Sequence, residues 1–179
     1  IKKEYMKQSI ISICLFLSLL CKADQENERL CAEKIPHFDQ ILQALEPYKS
    51  STLSLETESA PRPGGSYYSQ ALYVNGPRGI LFIAGQLPID PLTNTVIMDP
   101  ALATRQCMLN IQALLTNAGM DFTNLKKVII SISNIADVRT VCATYASFLI
   151  TPPFPTLSVI AVAAMPLGSV VGIEGIATT

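Results

Sequence analysis

The chain has 179 residues, 49% of them hydrophobic and 15% charged, with a formal net charge of −1 at pH 7. That length and apolar content suit one folded domain plus an appended segment, and exclude a chain that stays disordered throughout. The near-neutral balance removes the electrostatic case for nucleic acid or an anionic membrane as a partner.

The first stretch differs in kind from the rest. Lys7 precedes SIISICLFLSLLC, and KAD follows. A short positive region, an apolar run and a small residue at Ala23 make residues 1–23 read as an upstream fragment before Met6 plus a signal peptide. The run is too short to span a bilayer comfortably, so no stable membrane span is expected. The address that follows is exported, secreted or periplasmic; without a working signal it is cytoplasmic. Residues 24–50 are polar and then amphipathic, with Ile35, Phe38, Ile41, Leu42 and Leu45 at helical spacing and Pro47 closing the pattern. The only histidine, His37, lies here. Outside the signal stand Cys31, Cys107 and Cys142, an odd number with no zinc spacing. Cys107 and Cys142 read as small buried hydrophobes.

The domain proper runs from 51 to 179. STLSLET alternates and suits a first strand, and APRPGGS is a loop. SQALYVN and GILFIAG flank the turn-like GPR and predict a hairpin. Asp99 and Pro100 open a helix, since Asp caps orphan amides and Pro fits the first turn. Thr104, Cys107, Met108, Ile111, Leu115 and Ala118 mark its inner face, and Gly119 stops it. KKVIISISN predicts a β-branched strand. A second helix starts at Asp137, with Val138, Val141, Cys142, Tyr145 and Phe148 on one face, and TPPFP breaks it. FPTLSVIAVAAMPLGSVVGIEGIA supplies the last two strands, expected to pair through a Pro166–Gly168 corner. The economical architecture is α+β, a mixed β-sheet with two helices on one face. The other face is apolar enough to predict burial by other subunits in a cyclic homo-oligomer.

The run SYYSQALYVNGPRGILFIAGQLPIDP resembles the PYSQA…SGQIPLDP region of the RidA (YjgF) family of imine and enamine deaminases. ALATRQCMLNIQALLTNAGMDFTNLKKVIISISNIADV is similar to that family's helix and following strand, and VAAMPLGSVVGIEGIA to its VAxLPxGxxVEIEAIA ending. The resemblance covers about Ser51 to Thr179. It implies a chorismate-mutase-like fold, a homotrimer, and a small metabolite bound in each inter-subunit cleft. The implied chemistry is hydrolysis of 2-imino or 2-enamino acids to 2-keto acids and ammonia, with no cofactor. An arginine fork holds the substrate carboxylate, and a glutamate manages protons near the imine carbon.

Carried over residue by residue, the family tyrosine falls on Tyr68 and the glycine after the second hairpin strand on Gly85. The serine before that glycine is Ala84 here, and the asparagine early in the second helix is Cys142. The arginine of the PARS-type segment falls on Leu157, and the cysteine that often follows falls on Val159. The first glutamate of VEIE is Gly172, while the second remains as Glu174. Leucine has no hydrogen-bond donor in its side chain, and no arginine follows Arg139. The site is therefore expected to be degenerate, with weak or altered activity. Arg62, six residues before Tyr68, is the one nearby candidate for a rebuilt anion clamp. The alternative is a non-catalytic trimer that binds a small apolar ligand or serves as an interaction module. RNA cleavage, described for some family members, is the least supported, because the domain has no histidine and only six scattered basic residues against seven acidic ones.

Overall fold

A computed structural model describes residue 40 and residues 51–63, 67–76 and 78–179. Gln40 apart, these lie in one compact unit, Ser50–Thr179. The expected signal of 1–23 and, Gln40 apart, the expected amphipathic segment of 24–50 with Cys31 and His37 lie outside the described residues. Among the described residues no helix is long and apolar enough to cross a membrane.

The chain order is β1 (Ser51–Leu55), β2 (Ala71–Asn75), β3 (Ile80–Gln86), α1 (Pro100–Asn117), β4 (Leu125–Ile132), α2 (Val138–Ala146), β5 (Thr156–Ala161) and β6 (Val171–Thr178). The six strands make one sheet in the order β1-β2-β3-β6-β4-β5. β2 and β3 form the expected antiparallel hairpin, with Leu72 opposite Phe82. The closing strands do not pair with each other. β4 lies between them, parallel to β5 and antiparallel to β6. Residues 162–170 therefore carry the chain from the sheet edge over β4, so the Pro166–Gly168 corner serves a crossover and not a hairpin. The physical cause is that β4 offers two ladder edges. β6 takes one and joins β4 to β3, and β5 takes the other.

Strand alternation decides which side chains meet the helices. On β4, Val128, Ile130 and Ile132 are buried, and on β6 Val171, Ile173 and Ala177 share that face. α1 lays Cys107, Met108, Ile111, Leu114 and Leu115 against them. Asp99 caps α1 by accepting a hydrogen bond from the Leu102 amide at 2.9 Å, and Pro100 occupies the first turn. Gly119 follows at φ 69°, the left-handed geometry that glycine adopts without a Cβ clash. α2 is shorter than its pattern, ending at Ala146, yet Phe148 still packs, edge-on to Phe122 at 5.6 Å between ring centroids. Cys107 is fully buried, but Cys142 is only half-buried. Burial pushes the Cys107 thiol well above its ordinary value, so it stays neutral.

Among the described residues the opposite sheet face carries no helix. Leu72, Phe82 and Ile160 stand exposed on it, with Ile129 and Ile176 between. β5, at the edge, is exposed at every position except Val159.

Candidate functional site

An open cleft of about 760 Å³ lies at one end of the sheet. Its floor comes from the point where β3 stops matching β6. The register slips between Ile83 and Gln86, so Ala84 and Gly85 form a bulge that turns the strand toward the cleft. The bulge is pinned from two sides. The Ala84 amide donates to the Gln70 carbonyl at 3.0 Å, and the buried Gln86 side chain donates to the Ala84 carbonyl at 3.0 Å. Beside it, Gly172 on β6 sits opposite Ser131 on β4, and both line the cleft. A Cβ built on Gly172 would meet the ends of Leu87 and Met165, each at 3.6 Å, and the Gln86 carbonyl oxygen at 4.0 Å, all ordinary contacts.

One wall is Pro61, Arg62 and Pro63, the end of a loop held by a single buried amide. Gln70 accepts from the Thr57 amide at 2.6 Å and donates to the carbonyls of Thr57, Ala60 and Pro61 at 3.0, 2.9 and 2.8 Å. Arg62 follows at the cleft rim, its guanidinium donating to the carboxylate of Glu58 four residues earlier. Both side chains are largely exposed, at 74% and 82%. Among the described residues Arg62 is the only charged one lining the cleft. Tyr67 and Tyr68 stand next to it as a tilted pair with centroids 5.4 Å apart. The far wall is apolar, from Leu87, Ile89, Val162, Met165 and Leu167. Asn110 on α1 fixes the 87–89 segment by donating to the carbonyls of Leu87 and Ile89 at 3.1 and 3.2 Å.

The eight candidate positions thus sort into two groups. Arg62, Tyr68, Ala84, Gly85 and Gly172 line this one cleft. Cys142, Leu157 and Val159 do not. Leu157 and Val159 lie on β5 opposite Val128 and Ile130, with Val159 packed against the core and Leu157 two-fifths exposed. Cys142 lies on α2. Sequence reading missed Gln70, Gln86 and Asn110, the buried amides that shape the cleft. Their only signal was polarity inside otherwise apolar element patterns. No cluster of His, Cys, Asp and Glu able to hold a metal occurs among the described residues.

A six-stranded mixed sheet with two helices on one face, and a bulged cleft at its end, defines a fold class seen in solved proteins. A structure from Yersinia pestis, of the conserved Rid protein family YyfA, superposes with a TM-score of 0.67 at 37% identity, covering 72% of this chain and all of that one. The Escherichia coli YjgF product superposes with a TM-score of 0.63 at 30% identity, over 70% of this chain and 97% of the other. The family model described as Endoribonuclease L-PSP matches residues 57–179. Similar sequences include RutC family protein y4sK of Sinorhizobium fredii, 34% identical over 68% of this chain and 94% of the other. The 2-iminobutanoate/2-iminopropanoate deaminase of Salmonella typhimurium is 31% identical over 69% of this chain and 95% of its own. The chain belongs to the RidA/YjgF family.

Proposed function

We propose that this protein is a divergent RidA-type deaminase whose hydrolysis of 2-imino and 2-enamino acids is weak or altered. The family relationship and its imine-deaminase relatives support the reaction class. The observation that carries the divergence is the pair of side chains at Leu157 and Gly172, where the family resemblance calls for an arginine and a glutamate.

The reaction adds water to the imine carbon and expels ammonia, leaving a 2-keto acid. The carboxylate needs two parallel charge-assisted hydrogen bonds, which a leucine side chain cannot donate. Loss of such a buried contact costs about 2–5 kcal/mol of binding. The water needs a group to take and return its proton, and Gly172 has none. A missing acid–base group lowers rates by about 100- to 10,000-fold. Tyr68, the bulge at Ala84–Gly85 and the amide-pinned walls remain.

The separation of the eight positions into two groups fits a site shared between copies. In this reading a homotrimer brings the β5 edge and α2 of one copy to the cleft of the next. The open face, with Leu72, Phe82 and Ile160 exposed alongside Lys127 and Glu174, supports that association. A second reading is a non-catalytic trimer that holds a small apolar ligand. The apolar far wall and the single charge at the rim favour it, and an exported address, read from the N-terminal pattern, suits it.

An assay with 2-iminobutanoate generated in place by an amino acid oxidase separates the two. Slow but enzyme-dependent loss of the imine supports the deaminase reading. A rate equal to the buffer control, together with ligand binding, supports the second. A rate matching the imine deaminase relatives overturns the proposed divergence.

A further inference from the structure

We infer that the cleft takes a carboxylic acid with a bulky apolar body, and that Arg62 holds its carboxylate after exchanging away from Glu58. This rests on the reading of the cleft as the working site, and it names the ligand class and the anchor.

The volume comes first. The cleft of one copy measures about 760 Å³, and in the shared-site arrangement the neighbouring copy closes its open side and takes up part of that space. Gly172 keeps the floor open, and the nearest groups around its missing side chain are the apolar ends of Leu87 and Met165. A body bulkier than ethyl or methyl fits there and displaces water from apolar walls.

Leu167 is the second observation. It has φ 56°, in the left-handed region that a residue with a Cβ adopts only at a cost. Its side chain is also 69% exposed at the cleft rim. A strained backbone that displays an apolar side chain to solvent has two costs, and an apolar ligand laid against it removes the second.

Arg62 supplies the charge. Its backbone segment is fixed by the three carbonyls that Gln70 holds, while its side chain is engaged only by an exposed partner. An exposed ion pair of this kind contributes little, so a ligand carboxylate can replace Glu58 at small cost. With no other charge lining the cleft among the described residues, an anion gains there and a cation does not.

The test is calorimetric titration with three stable probes: phenylpyruvate, 2-oxobutanoate and the methyl ester of phenylpyruvate. Backbone amide shifts map where each one binds. Phenylpyruvate is expected to bind about tenfold tighter than its ester, and Arg62→Ala to erase that preference. Glu58→Gln is expected to tighten the acid by about two- to threefold, since the internal competitor is gone. Both variants lie at exposed positions, so folding is retained. Phenylpyruvate is also expected to bind more tightly than 2-oxobutanoate. Shifts at Leu167 and Tyr68 with no acid-over-ester preference, or with 2-oxobutanoate bound tighter, overturn this inference and leave the cleft reading standing. Shifts confined to other surfaces, or no binding of any probe at millimolar concentration, overturn both.

Discussion

The side-chain amide of Gln70 and the backbone of Thr57 pair head to tail, the Gln70 oxygen accepting from the Thr57 amide at 2.6 Å and its nitrogen returning to the Thr57 carbonyl at 3.0 Å. Two further carbonyls, of Ala60 and Pro61, lie within reach of the same nitrogen. A polar group this buried is tolerated only because its partners are satisfied. Gln70 thereby joins the loop that ends in Arg62 to the strand that leads into the cleft.

Replacing Gln70 by Ala leaves the Thr57 amide and these carbonyls without their partner. Chemical denaturation is expected to show a loss of about 2–4 kcal/mol. Gln70→Glu is expected to be worse at pH 7 than at pH 4, because a buried carboxylate facing three carbonyls favours its neutral form. Stability unchanged in Gln70→Ala contradicts the role given to this side chain.

The open sheet face yields a prediction about assembly. Phe82 is 43% exposed on that face, with Ile129 and Ile176 beside it and the charged Lys127 and Glu174 close by. Light scattering of the purified protein is expected to give three times the monomer mass, and Phe82→Asp to give the monomer. A monomeric parent protein contradicts the shared-site account.

The buried thiol gives a pH dependence with a definite sign. Burial raises the folded pKa of Cys107 above its ordinary value of 9.0. The unfolded chain then loses a proton that the folded chain keeps. Stability is therefore fully present below pH 9 and falls as pH rises beyond it, by up to about 1.4 kcal/mol per unit. Tyr145, pushed up to about 12 by burial and then by the charge of Cys142, adds to the slope above pH 10. Urea titrations between pH 7 and 10 are expected to show this decline, with Cys107→Ala flattening the part near pH 9 to 10. An undiminished slope in that variant assigns it elsewhere.

Much of the fold is legible in the residues because its signals are local. Asp99-Pro100 and Gly119 bracket α1, and the alternation of KKVIISIS separates the buried Val128 and Ile130 from the open-face Ile129. Which strand neighbours which is not local. The alternation in TLSVIA and VGIEGIA is the same whether β5 pairs with β6 or with β4, so the insertion of β4 left no trace in either segment. The cleft was half legible. Tyr68, Gly85 and Gly172 were found through the motifs that carry the family resemblance. Gln70 and Gln86 were missed because a glutamine near a strand end looks the same whether it faces water or holds a loop. The register slip at Ala84–Gly85 depends on partners far along the chain, so no short window announces it.

On the proposed reading, Leu157 and Gly172 stand where the family resemblance calls for an arginine and a glutamate, in a fold otherwise able to use them. Both positions can accept the missing side chains. Leu157 is two-fifths exposed on the edge strand, and a Cβ on Gly172 makes only ordinary contacts. The decisive measurement is the hydrolysis rate of freshly generated 2-iminobutanoate by the parent protein and by the Leu157→Arg/Gly172→Glu double variant. The account predicts a gain of about 100-fold or more in the double variant, on the scale of one acid–base group. A parent protein already as fast as the double variant would contradict it.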